Sequence, residues 1–157
     1  MSPAEARGWA LLREVVDPEL PFLSVVDLGV ARRVEVLDGR VVVGITPTYS
    51  GCPALEVIEA DVAERLRQAG LDPTVERDLA PPWSSDWISA EGRRKLKDHG
   101  MAPPGPAGDL VALRVPVRCP RCGSPDTEEL SAFGSTACKA LHRCRSCREP
   151  FDLVKAH

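Results

Sequence analysis

The sequence is poor in aromatic residues and has no strong excess of charge of either sign. Phenylalanine, tryptophan and tyrosine make up 4% of its 157 residues, so a core must be built mostly from valine, leucine, isoleucine and alanine. Hydrophobic residues still account for 43%, which argues against wholesale disorder. The formal net charge of −3 gives no general reason to expect binding to nucleic acid or to a membrane.

Long apolar runs are also missing. No stretch is apolar over the roughly 20 residues that a membrane-spanning helix needs, and the first residues do not follow the basic-then-apolar pattern of a secretory leader. We therefore expect a soluble, cytoplasmic protein. Thiols stay reduced in that compartment, so closely spaced cysteines indicate metal or redox chemistry more than structural disulfides.

Helix and strand patterns in the first hundred residues predict a small α+β domain. Ser2, with Glu5 three residues later, is a capping signal for a helix that the two prolines of DPELP end. A hairpin follows, with its tight turn at Asp38-Gly39. An apolar stripe predicts a second helix over 53–69, and PTVERDL predicts a third strand. The expected order is α-β-β-α-β.

The rest of the chain divides at a stretch rich in proline and glycine. Ser89 can cap a short basic helix that ends at Gly100. We predict a domain over 1–100, a linker over 101–109 and a C-terminal zinc-ribbon module over 110–157. The module holds eight basic and five acidic residues. Four zinc-bound thiolates would offset that small excess, so phosphate binding does not follow from it.

Two CxxC pairs, in VRCPRCG and HRCRSCR, dominate the module. Two intervening residues let both sulfurs of a pair turn onto one ion, and two such pairs supply a tetrahedron. The favoured interpretation is a structural zinc ion; an iron site with the same ligands, a shared iron–sulfur cluster and disulfides are the alternatives. The predicted metal ligands are Cys119, Cys122, Cys144 and Cys147. Four cysteines leave no open position, so this metal would have no catalytic role.

Cys138 is a fifth cysteine of the module, and its role is left open. It is either a small buried side chain in the ribbon hairpin or a reactive or cluster-ligating thiol beside Lys139. The histidines His142 and His157 are predicted to lie at the surface, because four cysteines already satisfy a zinc ion.

Cys52, in TPTYSGCPALEV, stands far from the other five cysteines. Pro53 suits a helix start, so the sulfur of Cys52 would face unpaired backbone amides and the positive end of the helix dipole, which favours the thiolate. Gly51 permits an unusual turn before it, and the hydroxyl of Thr46 lies on the same loop. The alternative is a thiol simply buried under the sheet, and the local pattern does not decide between them.

Carboxylates in DPEL, Asp17 and Glu19, and in DLG, Asp27, are by themselves typical of turns. No histidine or second cysteine lies near Cys52 in sequence, so a cysteine–histidine hydrolase is poorly supported. Phosphate loops and dinucleotide-binding motifs are absent.

Taken together, VVDPELPFLSVVDLGV and ITPTYSGCPALEVIEADV resemble the metal–sulfur cluster biosynthesis family, which includes SufT-like proteins. The shared marks are the DPE motif, the DLG step and a cysteine–proline pair at a helix start. The extension PPWSSDWISAEGRRKLKDHGMAPP and the cysteine module resemble one branch of that family, PaaD (also called PaaJ). With the module included, the resemblance spans nearly the whole chain.

This resemblance implies an accessory or maturation role in the phenylacetyl-CoA epoxidase system of aerobic phenylacetate degradation, with no catalysis of its own. The expected partners are the iron–sulfur reductase or the di-iron oxygenase of that system, which would receive iron or an iron–sulfur cluster. A homodimer is compatible with the pattern. The alternatives are an integral non-catalytic subunit of the epoxidase complex and a nucleic-acid-binding regulator, which the weakly basic module disfavours.

Carried over to this chain, the resemblance makes Cys52 the functional thiol and a transient ligand of iron or of a cluster. Asp17 and Glu19 are expected to line the same pocket, and Thr46 and Gly51 to shape the cysteine loop. The zinc of the C-terminal module would be structural.

Overall fold

The computed structural model describes residues 1–49, 51–107 and 116–156 of the chain. They form two compact units, the first made of Met1–Trp83 with Trp87–Ser89 and the second of Ser84–Asp86 with the described part of Ala90–His157. The first unit combines helices with a sheet, and the second combines a sheet with one short helix, so the predicted α+β class is confirmed.

The first unit packs two helices with one three-stranded sheet. Its elements are α1 (Pro3–Leu12), β1 (Ala31–Leu37), β2 (Arg40–Ile45), α2 (Ala54–Gln68) and β3 (Pro73–Arg77). The strand order is β1-β2-β3, with β1 antiparallel and β3 parallel to β2. A parallel pair needs a crossover, and α2 provides it. The carboxyl ends of β2 and β3 therefore lie at the same edge of the sheet.

Local signals explain where these elements begin and turn. The capping box at α1 is confirmed: Glu5 N donates to Ser2 Oγ at 3.2 Å, and Ser2 N donates to Glu5 Oε2 at 2.6 Å. Asp38 and Gly39 have φ angles of 50° and 81° at the hairpin turn. Both are left-handed, as the tight turn of a hairpin requires.

Helix α1 ends at Leu12, earlier than the prolines of DPELP led us to predict. The reason is backbone pairing with a later segment, which holds the chain in an extended conformation. Val25 N donates to Val15 O at 2.9 Å, and Asp17 N donates to Leu23 O at 2.9 Å. These bonds, between residues ten and six positions apart, replace the helical ones that the local pattern favours.

The core of the first unit is aliphatic, as the scarcity of aromatic residues predicts. The apolar stripe of α2 is buried, and Gly70, with φ of 78°, follows its end. Leu71 N donates back to Leu66 O at 3.1 Å, which satisfies a carbonyl of the last turn. The largest fully buried side chains of this unit are Leu12, Leu23, Val25, Val30, Val43, Ile45, Val62 and Leu66.

The second unit contains a short helix and a three-stranded antiparallel sheet. Its elements are α3 (Ala90–Asp98), β4 (Thr127–Ser131), β5 (Lys139–Cys144) and β6 (Pro150–Val154), with strand order β4-β5-β6. Its apolar cluster is small and consists of Ala102, Cys119, Cys144 and Phe151. Two of these four residues are cysteines of the CxxC pairs.

Ala102, inside the predicted linker, takes part in this second unit. It is buried, and it pairs with β6: Ala102 N donates to Asp152 O at 2.9 Å, and Val154 N donates to Ala102 O at 3.1 Å. The division of the chain at 101–109 stays a prediction, and residues 108 and 109 lie outside the described residues. No helix within the described residues is long and apolar enough to cross a membrane.

Candidate functional site

The four cysteines of the CxxC pairs lie together, with sulfur atoms all within 4.8 Å of one another. The described residues hold no other such group of three or more cysteine, histidine or acidic side chains. Cys119 Sγ is 3.7 Å from Cys147 Sγ, and Cys122 Sγ is 3.6 Å from Cys144 Sγ. These separations are far longer than a disulfide bond. They match the roughly 3.8 Å between sulfurs in a tetrahedral zinc–thiolate site.

Backbone turns hold each cysteine pair in place. Cys119 N donates to Ser124 O at 2.9 Å, and Gly123 N donates to Cys119 O at 2.9 Å, which closes the first knuckle. Cys144 N donates to Glu149 O at 2.9 Å in the second. The thiols are thus placed by hydrogen bonds of the chain itself, and the residues present fit a four-coordinate structural metal.

The electrostatics of the cluster favour a bound cation. Cys147 N donates to Cys144 Sγ at 3.5 Å, and this bond is the main cause that lowers the pKa of Cys144 to about 6. At Cys147 a backbone hydrogen bond from Glu149 lowers the pKa. Burial and the neighbouring thiols outweigh that bond and raise the pKa of Cys147 to about 12. Adjacent thiols compete for one negative charge. A metal ion removes that competition, because coordinated thiols are deprotonated.

His142 corrects one expectation, because it is buried, with 6% of its surface exposed. It lies in β5, where Ala140, His142 and Cys144 alternate towards the interior. Its ring stacks on Phe151 with centroids 5.8 Å apart, and neither ring nitrogen has a hydrogen-bond partner within the described residues. Its side chain points inward because side chains alternate along the strand, although histidine is a polar residue. His157 lies outside the described residues.

Cys138 lies apart from the cluster, half-buried in the hairpin before β5. Its Sγ is 3.1 Å from Thr136 Oγ1. The adjacent Lys139 is buried, and its Nζ is 3.3 Å from Ser135 Oγ. Neither of the two interpretations of Cys138 is decided by these contacts.

Cys52 lies directly in front of α2, at the carboxyl edge of the sheet. Strand β2 ends at Ile45, and the following Thr46 is buried, with its N–H donating to Val30 O at 2.9 Å. Cys52 is half-buried, and its carbonyl accepts from Leu55 N at 3.2 Å. Pro53 is the N-cap and contributes no side-chain cap. The thiol therefore stands one residue before the positive end of the α2 dipole.

Gly51 gives the loop its turn into the helix. Its φ is 81°, and a Cβ at this position would meet no atom within 4 Å. Space is therefore not the constraint; the left-handed backbone is, and glycine adopts it without the strain of other residues.

The carboxylates of DPEL have different surroundings. Asp17 is buried, and its Oδ1 accepts from Glu19 N at 2.8 Å and from Leu20 N at 2.9 Å. The Asp17 side chain thereby closes the turn that contains Pro18. Glu19 is half-buried. Among the described residues, Asp17, Glu19 and Cys52 do not form a group of side chains close enough to bind one metal ion. A pocket shared by all three therefore stays a prediction.

The DLG turn, Asp27 to Gly29, makes contacts that the sequence did not reveal, with Ser24 and with two tryptophans. Ser24 N donates to Asp27 Oδ2 and Asp27 N to Ser24 Oγ, both at 3.0 Å. Trp83 Nε1 donates to Leu28 O at 3.0 Å. A Cβ on Gly29 would lie 2.6 Å from Trp87 O, so only glycine permits this approach. Trp83 and Trp87 thus pack on the DLG turn, and the carbonyl of Val30, just after that turn, accepts from Thr46 N.

Arg33 is a second feature without a sequence signal. Its guanidinium binds Glu35, Glu76 and Asp78 at 3.0, 2.8 and 3.1 Å. Gly44 leaves the space, since a Cβ there would lie 2.0 Å from Asp78 Oδ2. Asp78 N donates to Ile45 O at 2.8 Å. The charged group around Arg33 therefore lies near Ile45, at the carboxyl end of β2.

Two family models match the chain. The model described as "Iron-sulfur cluster assembly protein" matches residues 6–76, and the one described as "PaaD zinc beta ribbon domain" matches residues 103–155. The first includes Cys52, and the second includes all five remaining cysteines.

Similar proteins agree with both matches. A protein of Escherichia coli (strain K12), named as a subunit of a "Putative 1,2-phenylacetyl-CoA epoxidase", is 47% identical over 94% of this chain and 90% of its own length. A "Fe-S protein maturation auxiliary factor" of Porphyromonas gingivalis is 38% identical over 55% of this chain and 84% of its own. The crystal structure of a DUF59 domain from Bacillus anthracis, 30% identical, covers 59% of this chain and 90% of that one, with a TM-score of 0.55.

Proposed function

Because the chain belongs to the PaaD family, we propose that it is an accessory subunit of a phenylacetyl-CoA epoxidase system. In this proposal it helps to assemble iron or an iron–sulfur cluster on other subunits of the system during aerobic phenylacetate degradation. The relatives support both halves: one is named a subunit of that epoxidase, and another a maturation factor for Fe-S proteins.

The observation that carries the proposal is the position of Cys52. Cys52 lies within residues 6–76, which match the model of iron–sulfur cluster assembly proteins. It is outside the four-thiol cluster, and it precedes α2, whose start has no side-chain cap. A thiolate is the form that binds iron, and a helix start favours the thiolate. A single protein thiolate also leaves most coordination positions of the cargo open, which suits transfer to a recipient.

The remaining residues have supporting roles in this proposal. Gly51 sets the turn that places Cys52, and Thr46 fixes the start of the loop against the β1 side of the sheet. Asp17 and Glu19 would border the cargo as carboxylates of the DPE turn. The four-cysteine ribbon is a scaffold, because a tetrahedral site with four protein ligands has no open position.

The test is to co-express Cys52→Ser with the iron–sulfur reductase and the di-iron oxygenase subunits, then purify those partners. We expect their iron and acid-labile sulfide to fall severalfold, while zinc bound to this chain is unchanged. Cys138→Ser is the matched control, since it removes the other thiol outside the cluster. Fully loaded, fully active partners in the Cys52→Ser strain would refute the maturation role.

A second candidate function is an integral non-catalytic subunit of the epoxidase complex. The word "subunit" in the name of the Escherichia coli relative favours it. Quantifying this chain in the purified active complex separates the two functions. An integral subunit occurs in a fixed ratio to the oxygenase, whereas a maturation factor is absent or present in smaller amounts.

A further inference from the structure

The two knuckles of the ribbon differ at one backbone position. The residue that follows the second cysteine is left-handed in both, with φ of 75° at Gly123 and 64° at Arg148. Glycine adopts this conformation readily, whereas an arginine there is strained by its Cβ. A residue held in an unfavourable conformation where glycine would serve indicates that its side chain is needed.

Arg148 lines a groove of about 330 Å³ in which arginines predominate. The other lining residues are Arg143, Cys144 and Arg145. A guanidinium is always charged and presents a planar set of donors that matches a carboxylate. The groove is therefore suited to an anionic group of that shape.

The arginines of the groove differ in their internal partners. Arg143 Nε donates to Glu128 Oε1 at 3.0 Å, and Arg145 Nη2 donates to Glu128 Oε2 at 3.0 Å. Arg145 also faces Asp126 at 3.9 Å. Arg148 is exposed and makes no hydrogen bond or ion pair to any residue that the structure describes. It is the groove arginine that can take an external anion without first releasing an internal one.

The charge balance around the groove favours a single carboxylate over a phosphate chain. Glu128 and Asp126 already neutralise the other two arginines. Together with the metal-bound thiolate of Cys144, which also lines the groove, they would repel the closely spaced charges of a nucleic-acid backbone. One guanidinium with a bidentate fork suffices for one carboxylate.

We propose that the second knuckle is a docking site for an acidic segment of a partner protein. Arg148 contacts a carboxylate of that segment, and Arg143 and Arg145, held by Glu128, form the walls of the groove. That the partner is a subunit of the epoxidase system rests on the proposed function. That the groove binds an acidic segment rests only on the groove residues.

The test uses the full-length zinc-loaded protein and a fluorescent peptide with several glutamates spaced by glycine and serine. Fluorescence anisotropy at low salt measures its dissociation constant. We expect Arg148→Gly to weaken binding about fivefold. Its zinc content and thermal midpoint should be no lower than those of the wild type, because glycine suits the left-handed position. A peptide with glutamine in place of glutamate should not bind.

Arg121→Gln is the matched control. Arg121 is an exposed arginine of the first knuckle, but it has an internal partner in Glu149, so its loss should weaken binding less than twofold. Equal weakening by both variants would show general charge attraction and overturn the proposal. Failure of the wild type to bind, or displacement of the peptide by inorganic phosphate at lower concentrations than by free glutamate peptide, would do the same. Partner loading through Cys52 is a separate readout, so either proposal can fail alone.

Discussion

The two units of this chain hold their folds in different ways. In the first, eight large leucine, isoleucine and valine side chains are fully buried between two helices and a sheet. In the second, Leu96 is the one such side chain among the described residues, and the apolar cluster has four members, two of them metal-site cysteines. Burial of apolar surface can stabilise the first unit by itself. The second has too small a core for that, so its stability depends on the four sulfurs and the ion that they fit.

The same contrast applies to the thiols. In the ribbon, the sulfurs face one another at 3.6 and 3.7 Å and are placed by turns of the backbone. In the first unit, Cys52 lies directly before a helix, outside the four-cysteine group, and is half-buried, so it is not part of the hydrophobic core. Removal of a ribbon thiol should therefore affect folding, whereas removal of Cys52 should affect only what the protein does.

The largest expected effect is on the ribbon. Cys144→Ser removes a fully buried ligand, and we expect zinc to fall from about one ion per chain to near zero. Structural zinc contributes on the order of 10 kcal/mol to a small domain, so the ribbon should unfold. Metal analysis together with amide NMR spectra measures both changes.

The control for that experiment is Cys138→Ser, which should keep its zinc because Cys138 lies outside the cluster. In the Cys144→Ser spectrum the resonances of the first unit should stay dispersed. Collapse of both units together would contradict the contrast between an aliphatic and a metal-dependent fold.

A smaller effect is expected from the aliphatic core. Leu66 on α2 has no exposed surface, and Leu66→Ala should lower the free energy of unfolding of the first unit by about 3 kcal/mol. Leu37→Ala is the matched control, because Leu37 is 53% exposed and should cost less than about 0.5 kcal/mol. Urea unfolding followed by circular dichroism measures the difference. Loss of zinc in Leu66→Ala would show that the two folds are not independent.

Features set by neighbouring residues could be predicted from the sequence. The capping box of α1, the Asp38-Gly39 turn and the stripe of α2 each depend on residues close in the chain, and all three are confirmed. The four-cysteine cluster was equally accessible, because two residues between cysteines fix the geometry of each knuckle.

Features set by distant residues could not be predicted. Helix α1 ends early because Val15 and Asp17 bond to residues of 23–25. The hydrogen bond from Trp83 to Leu28 joins positions 55 residues apart, and no local pattern encodes it. For the candidate site, the sequence predicted Cys52 and the helix that follows it. The hydrogen bonds from Glu19 N and Leu20 N to the Asp17 carboxylate are seen only in the structure.

The smallest stability effect, and the sharpest functional one, concerns the turn before Cys52. Gly51 and Gly39 both have φ of 81°, and at neither would a Cβ meet an atom within 4 Å. Alanine should therefore cost each position a similar amount, about 1 kcal/mol, from backbone strain alone. If Gly51 places the functional thiol, only Gly51→Ala should also reduce the iron content of co-expressed partners. Equal partner loading by Gly51→Ala and Gly39→Ala, at equal loss of stability, would mean that the turn serves the fold and not the transfer.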